Sequence, residues 1–526
     1  MPGVAGPLAC ISICVQSVSN LWIVRTVTKL LLPLCLCVSV AASAPSADVT
    51  KVREWRAAHE RQILAELMQL AALPSIASNK ADIVKNADVL TTMFEKRGFG
   101  VKRIATPGSP VLVAERVAAS PRGRLTFYMH YDGQPTEAKD WTIGQPFAPT
   151  SYLNGSRFDV LAGSGPVNPD TRIYARAVAD DKAPIVAFLA AVDGLIDAKA
   201  ALPWTLRVVL DGEEEAGSPN FEAAMLANAA AVTADLAVVV DSPRHPSNLP
   251  TVFYGSRGLT GAEITIYGAT GDLHSGNYGN FVPDPAMALV KLLASMKDDK
   301  GNVTIKNFYD DVVPLTETER RAIDEIPNVD QKLLEQFGVA QSEHPDSRIE
   351  LQHNRPTLSI VGLSSGTVGP GARNAISGQA TGRVEIRLVN GLDPKKQFDR
   401  LVAHIRDQGY HIVDAPPDME TRRKYPKIAR ITGQGGGFPI GKGSMDDPRT
   451  AMAANAIRSL DQRLVQMPTI GGSLPFSTFS SALKLPTIGL AVVNFDNNQH
   501  AINENLRVGH LWEAIDIFAA LVTMVK

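Results

Sequence analysis

The chain has 526 residues, with 52 basic against 54 acidic side chains and 45% hydrophobic residues. The near-neutral charge excludes a dedicated binder of nucleic-acid phosphates, and the apolar content excludes intrinsic disorder. At about 100–200 residues per domain, the length suggests two to four domains, with cores that need no disulfide or zinc staple.

The first 47 residues stand apart. All four cysteines, Cys10, Cys14, Cys35 and Cys37, lie there. Arg25 and Lys29 precede an apolar run over 30–42, which leads into Ser43 and Ala44. Positive, then apolar, then small is the order of a secretory leader, with cleavage after Ala42 favoured because Pro45 hinders it after Ala44. The run is short for a membrane span of about 20 residues, and the competing reading is an uncleaved anchor. The sequence therefore predicts an exported protein, periplasmic or secreted, whose cysteine-free mature chain uses no disulfide.

Over 48–73, Val52, Trp55, Ile63, Leu64, Leu67 and Leu70 recur mostly at three- and four-residue spacing, which predicts a helix. A second helix is predicted over 81–96, ended by Gly98. Short runs rich in Val, Leu and aromatics follow at 111–114, 125–129, 206–210 and 236–240, with helical stretches at 183–196 and 220–230. Buried strands alternating with helices predict an α/β domain, its first part 48–257, around a largely parallel sheet covered on both faces. Alternating strands at 259–267 and 382–389, with helices at 285–296 and 394–408, predict a smaller α+β domain over 258–420, inserted into the first. A strand at 487–493 and a helix at 511–525 return the chain to the larger domain, whose second part is 421–526.

The informative polar residues sit just past predicted strand ends. His130 and Asp132 follow 125–129, Glu213, Glu214 and Glu215 follow 206–210, and Asp241 ends 236–240. Ligands of open α/β sheets bind outside the carboxyl ends of the strands. Each residue alone reads as a solvated loop charge, but three strands delivering imidazole and carboxylates to one rim read as a site. The donors suit zinc or manganese, and without a thiol a Cys-type structural zinc site is excluded. Two metals about 3.5–4 Å apart can share a carboxylate and a water. The adjacent Glu214 and Glu215 offer one metal ligand and one general base.

Five stretches then carry a resemblance, in order along the chain. They are His130-Tyr131-Asp132-Gly133-Gln134-Pro135, the run from Tyr174 to Lys182, Glu213-Glu214-Glu215-Ala216-Gly217-Ser218, Asp272-Leu273-His274-Ser275-Gly276 and His500-Ala501-Ile502-Asn503-Glu504. Together they resemble the carnosinase-type dipeptidases, in a co-catalytic zinc peptidase family that includes glutamate carboxypeptidases. The resemblance runs from about Val52 to the C-terminus and implies a metal-bearing α/β catalytic domain with an inserted α+β dimerisation lid. It implies His130, Asp180, Glu215, Asp241 and His500 as ligands of two Zn2+, with Mn2+ or Co2+ as alternatives, and Asp180 as the bridge. Asp132 would orient the His130 imidazole, which strand alternation also supports. Glu214 would deprotonate the bridging water and later protonate the leaving amine, and the peptide between Asp180 and Asp181 would be cis.

The resemblance also makes His274 an oxyanion donor to the partner subunit's active site, hence a homodimer formed through the inserted domain. From residues alone, His274 could simply cap the turn at Gly271 and Asp272. Arg387, with Ser473 in the loop Gly471-Gly472-Ser473-Leu474-Pro475, would hold a substrate's terminal carboxylate. Asn374 stands where that branch usually has Thr. Ala175, Ala177 and Ala183 stand where the family usually has Gly, so an added methyl either alters the turn or tightens it where φ is negative. His245 matches no motif and reads as a loop residue. The implied reaction is hydrolysis of the amide bond of a dipeptide or small peptide with a free C-terminal carboxylate. An N-acyl amino acid deacylase on the same metals, and a catalytically idle peptide-binding homologue, stay open; retention of Glu214 argues against the second.

Overall fold

The computed structural model describes residues 46–433, 437–460 and 463–524, so the leader expected over 1–47 falls almost wholly outside the described residues. Helix Ala47–Ala71 starts at Ser46, whose hydroxyl accepts the Val49 N–H at 3.3 Å, and it buries Val52, Ile63, Leu64, Leu67 and Leu70. Asn79 caps Lys80–Glu95 in the same way.

The main sheet has eight strands. In spatial order they are Gly100–Ile104, Val111–Arg116, Thr205–Asp211, Arg124–His130, Leu236–Val240, Thr487–Ala491, Thr251–Phe253 and Val465–Met467. The four middle strands run parallel, while Gly100–Ile104, Val111–Arg116 and Thr251–Phe253 pair antiparallel to neighbours on the flanks. The sheet is thus parallel across four of the expected strands, but the expected strand at 111–114 joins it antiparallel, so the sheet as a whole is mixed rather than largely parallel. Side-chain alternation splits its two faces. Leu125, Phe127 and Met129 pack with Phe188 and Phe518 from helices Ala183–Asp197 and Val508–Thr523. Tyr128, Val209 and Val239 pack on the other face with Phe221, Met225 and Phe479. Near-continuous apolar strands follow from burial on both faces.

A second, separate core lies on a five-stranded sheet ordered Thr357–Ser364, Gln379–Leu388, Gly258–Tyr267, Ile428–Thr432 and His411–Val413. All its pairs are antiparallel except the last. Ile264, Ile266, Val384 and Ile386 point at Leu289, Leu293, Leu401 and Ile405 of helices Pro285–Ala294 and Pro394–Asp407. Two cores of this kind make a mixed α/β fold with a catalytic domain plus an inserted one. The inserted sheet runs past the expected limit at 420, because Ile428–Thr432 pairs along Gly258–Tyr267. Short helices Glu317–Glu325, Asp330–Phe337 and Ile349–His353 lead into its edge strand. A further sheet of Asn505–Arg507, Arg172–Tyr174, Thr150–Leu153 and Ser156–Phe158 ties the start of the second motif to the strand just before the final helix.

Thr487–Ala491 lies between Leu236–Val240 and Thr251–Phe253, and Gly489 lets the Phe253 ring lie against its backbone; a Cβ there would overlap the ring. Gly489→Ala is therefore expected to destabilise the fold by about 1–3 kcal/mol, the cost of overpacking a filled core, read as a lower denaturant midpoint.

Candidate metal centre

Arg124–His130 and Thr205–Asp211 run parallel with His130 opposite Asp211, so both deliver their following residues to one rim. Asp241 follows Leu236–Val240 on the same rim. The peptide between Asp180 and Asp181 is cis, as expected. Asp180 lies between two imidazoles: its Oδ1 is 2.9 Å from His130 Nε2 and its Oδ2 is 3.2 Å from His500 Nε2. His130 Nε2 is also 3.9 Å from Asp241 Oδ1, and His500 Nε2 is 3.2 Å from Glu215 Oε2. Two groups result, His130 with Asp180 and Asp241, and Asp180 with Glu215 and His500; the donor atoms of each lie within 4.8 Å of one another. The five expected ligands converge, and Asp180 is common to both groups.

Asp132 does more than expected. Its Oδ1 lies 3.3 Å from His130 Nδ1, and its two oxygens accept the backbone N–H groups of Glu214 and Glu215, each at 3.1 Å. One buried carboxylate thus sets the imidazole and the glutamate pair together. Glu213 turns away from the rim and accepts from the Ser109 N–H at 2.8 Å and Asn220 Nδ2 at 2.9 Å.

Sequence reasoning missed the residue that holds the second motif. Glu504, fully buried, accepts from Arg176 Nη1 at 2.8 Å and from the N–H groups of Ala177, Ala179 and Asp180 at 3.0, 3.0 and 3.2 Å. The available signal was its place four residues after His500. Gln134 Nε2, also unassigned, donates to Glu215 Oε2 at 2.7 Å. Of the alanines at expected glycine positions, Ala177 has φ of +60° and Ala183 an ordinary helical −65°. The methyl at Ala177 therefore sits in the left-handed region that favours glycine.

The electrostatics call for cations. Burial, then Asp241, pushes the Glu214 carboxyl well above the usual carboxylate range. Burial pushes Asp241 up to about 7, against the pull of His130. Hydrogen bonds to Asp180 and Glu215 raise His500 to about 11. Asp241 Oδ2 is buried with no hydrogen-bond partner. Crowded carboxylates, imidazoles and an orphaned oxygen form a donor set that fits divalent metal, with no thiol.

The other expected residues lie apart from these groups. His274 is exposed on the two-residue strand Leu273–His274, paired with Ala375–Ile376, and its Nδ1 accepts the Gly276 N–H at 3.1 Å. The Asn374 carbonyl accepts the Ser275 N–H at 3.0 Å, so Asn374 sits beside His274 rather than beside Arg387. Arg387 Nη1 donates to Ser473 Oγ at 2.9 Å and Nε to Glu385 at 2.8 Å. The fold thus joins Arg387 and Ser473 into one group.

The sequence matches peptidase family M20/M25/M40 over residues 126–524. A Cys-Gly metallodipeptidase of Schizosaccharomyces pombe is 26% identical, over 88% of this chain and 95% of its own. The β-Ala-His dipeptidase of Homo sapiens is 24% identical, over 91% of this chain and 93% of its own. The structure of an M20 family metallo-carboxypeptidase from Sulfolobus solfataricus is 25% identical and aligns with a TM-score of 0.73, over 88% of this chain and 98% of that one.

These relatives overturn the expected export. Along most of the chain they include fungal Cys-Gly metallodipeptidases, which are cytosolic proteins. The charge-then-apolar order of 1–47 is a local pattern that nothing else in the chain supports, and neither a periplasmic nor a secreted location is assigned.

Glu504→Ala is expected to cost about 3–5 kcal/mol, because it leaves Arg176 buried without a counter-charge. A fall in the urea midpoint measures it.

Proposed function

The chain belongs to peptidase family M20/M25/M40, and we propose that it is a di-zinc dipeptidase that cuts dipeptides or small peptides with a free C-terminal carboxylate. The observation that carries this reading is the sharing of Asp180 by two groups of metal-binding donors, with Glu214 held beside them. His130, Asp180, Glu215, Asp241 and His500 hold the metals. Zinc suits imidazole and carboxylate at an open site, and Mn2+ and Co2+ fit the same donors. When bound, two such ions polarise the scissile carbonyl and lower the pKa of a water to about 7.

Glu214 takes the proton of the attacking water and passes it to the leaving amine. Arg387, steadied by Ser473 and Glu385, offers its remaining N–H groups to the substrate carboxylate. His274 and Asn374, exposed on one ribbon, act in the site of a second copy, where His274 donates to the oxyanion. A homodimer through the inserted domain is supported by the edge strand Thr357–Ser364, which exposes Ile360, Val361 and Leu363 by 51, 52 and 60%. An open apolar edge of this kind is a template for pairing with another chain.

Dipeptide hydrolysis is expected to vanish on chelation and return with metal. Glu214→Gln should lose at least about 100-fold in kcat while keeping the metal content of the parent enzyme; undiminished turnover would refute its assigned role. His274→Ala and Glu214→Gln, each inactive alone, should recover partial activity when co-expressed, because a mixed dimer contains one complete site. No recovery places His274 outside the partner's chemistry.

A further inference from the structure

A cavity of about 330 Å³ opens beside Asp241. Its volume falls at the lower end of the roughly 300–1,000 Å³ typical of small-ligand pockets. Leu333 and Phe337, from helix Asp330–Phe337, face Ile349, Met467, Ile470 and Leu474 across it. Its charged lining is already paired. His245 Nε2 meets Glu350 Oε1 at 3.1 Å, Arg348 Nε meets the other Glu350 oxygen at 3.0 Å, and Arg244 pairs with Glu513. Burial, then Arg257, lowers His353 to about 4, so this imidazole is neutral at pH 7. Apart from Asp241, which belongs to the metal centre, the charged groups of the wall have partners of opposite charge, although Arg244 keeps Nε and Nη2 without hydrogen-bond partners.

The substrate loop fixes which end of the substrate the cavity meets. Gly471, Gly472 and Leu474 wall the cavity, whereas Ser473 between them is bonded to Arg387. The loop therefore has the carboxylate anchor at Ser473 and the cavity on its other residues, and Asp241 is on the cavity side. Resting on the dipeptidase reading, we propose that this cavity receives the side chain of the residue whose carbonyl is attacked, and that the enzyme selects apolar amino-terminal residues the size of Leu, Met or Phe over charged ones. Phe337 and Leu333 are then specificity residues, although they lie outside every motif of the site.

The test compares kcat/KM of the metal-loaded enzyme for Leu-Gly, Phe-Gly, Ala-Gly, Asp-Gly and Lys-Gly, which share one leaving group. Leu-Gly and Phe-Gly should exceed Asp-Gly and Lys-Gly by at least about tenfold, within the range a pocket contact supplies. Phe337 is 61% exposed, so its replacement leaves the fold intact. Phe337→Ala should lower the ratio of Phe-Gly to Ala-Gly about tenfold, and Phe337→Asp should raise Lys-Gly relative to Leu-Gly. Calorimetric binding of leucine and aspartate hydroxamates to the metal-loaded Glu214→Gln protein gives the same comparison without turnover, with leucine hydroxamate expected to bind at least about tenfold tighter. Cleavage without preference, or ratios that the Phe337 variants do not move, overturns the cavity assignment and leaves the dipeptidase reading standing. Hydroxamates ranked as expected with no dipeptide cleaved support the cavity and overturn the dipeptidase reading; hydroxamates bound alike overturn the cavity.

Discussion

A buried carboxylate must be answered by a cation or by hydrogen-bond donors, and that requirement orders the whole rim of the main sheet. The chain meets it in two ways. Asp132 is answered by two backbone amides, Glu504 by Arg176 and three amides, and Glu213 by Ser109 and Asn220. These acids are spent on holding the scaffold. Asp180, Glu215 and Asp241 are answered mainly by imidazoles, and Asp241 retains an oxygen with no partner. The division separates the carboxylates that build the site from those left open to metal.

The two cores serve this rim differently. The α/β layer fixes the depth at which parallel strands end. The inserted layer carries the proposed substrate contacts from far along the chain: Arg387 on a strand of its sheet, Phe337 on a short helix leading to its edge. Arg257 stands where the chain passes from one layer to the other. Its N–H donates to the Gly472 carbonyl, and its guanidinium donates to the carbonyls of Gln352, His353 and Arg355. One buried arginine thus ties the loop 471–475 to the helix that ends at His353.

Much of this was legible in the sequence because it is local. Runs such as 125–129 and 236–240 are apolar throughout since both faces of the sheet are covered, and His130, Asp180, Glu215, Asp241 and His500 carry their chemistry in their identity. What stayed hidden depends on pairing at a distance. Thr251–Phe253 and Val465–Met467 are three residues each, too short to show a period, and become strands only through their neighbours. Thr357–Ser364 carries a register shift between Ile360 and Gly362 that breaks its alternation. Glu504 looks like any acid until the amides of 177–180 close around it, and nothing in sequence spacing sets Asn374 beside His274. The leader-like order at 1–47 was equally local, and there local order misled.

The position of Thr487–Ala491 between two strands laid down far earlier has a consequence for biogenesis. A ribosome releases the chain from its N-terminus, and until that strand emerges, Leu236–Val240 lacks the partner on one edge and Thr251–Phe253 has no neighbour on that side. His500 and Glu504 follow it, so the nascent chain carries four of the five proposed ligands, and the group of Asp180 and Glu215 lacks its imidazole. Such long-range pairing is slow to form. The group of Asp180, Glu215 and His500, and the Glu504 bonds that hold 177–180, are therefore completed only when nearly all of the polypeptide has left the ribosome.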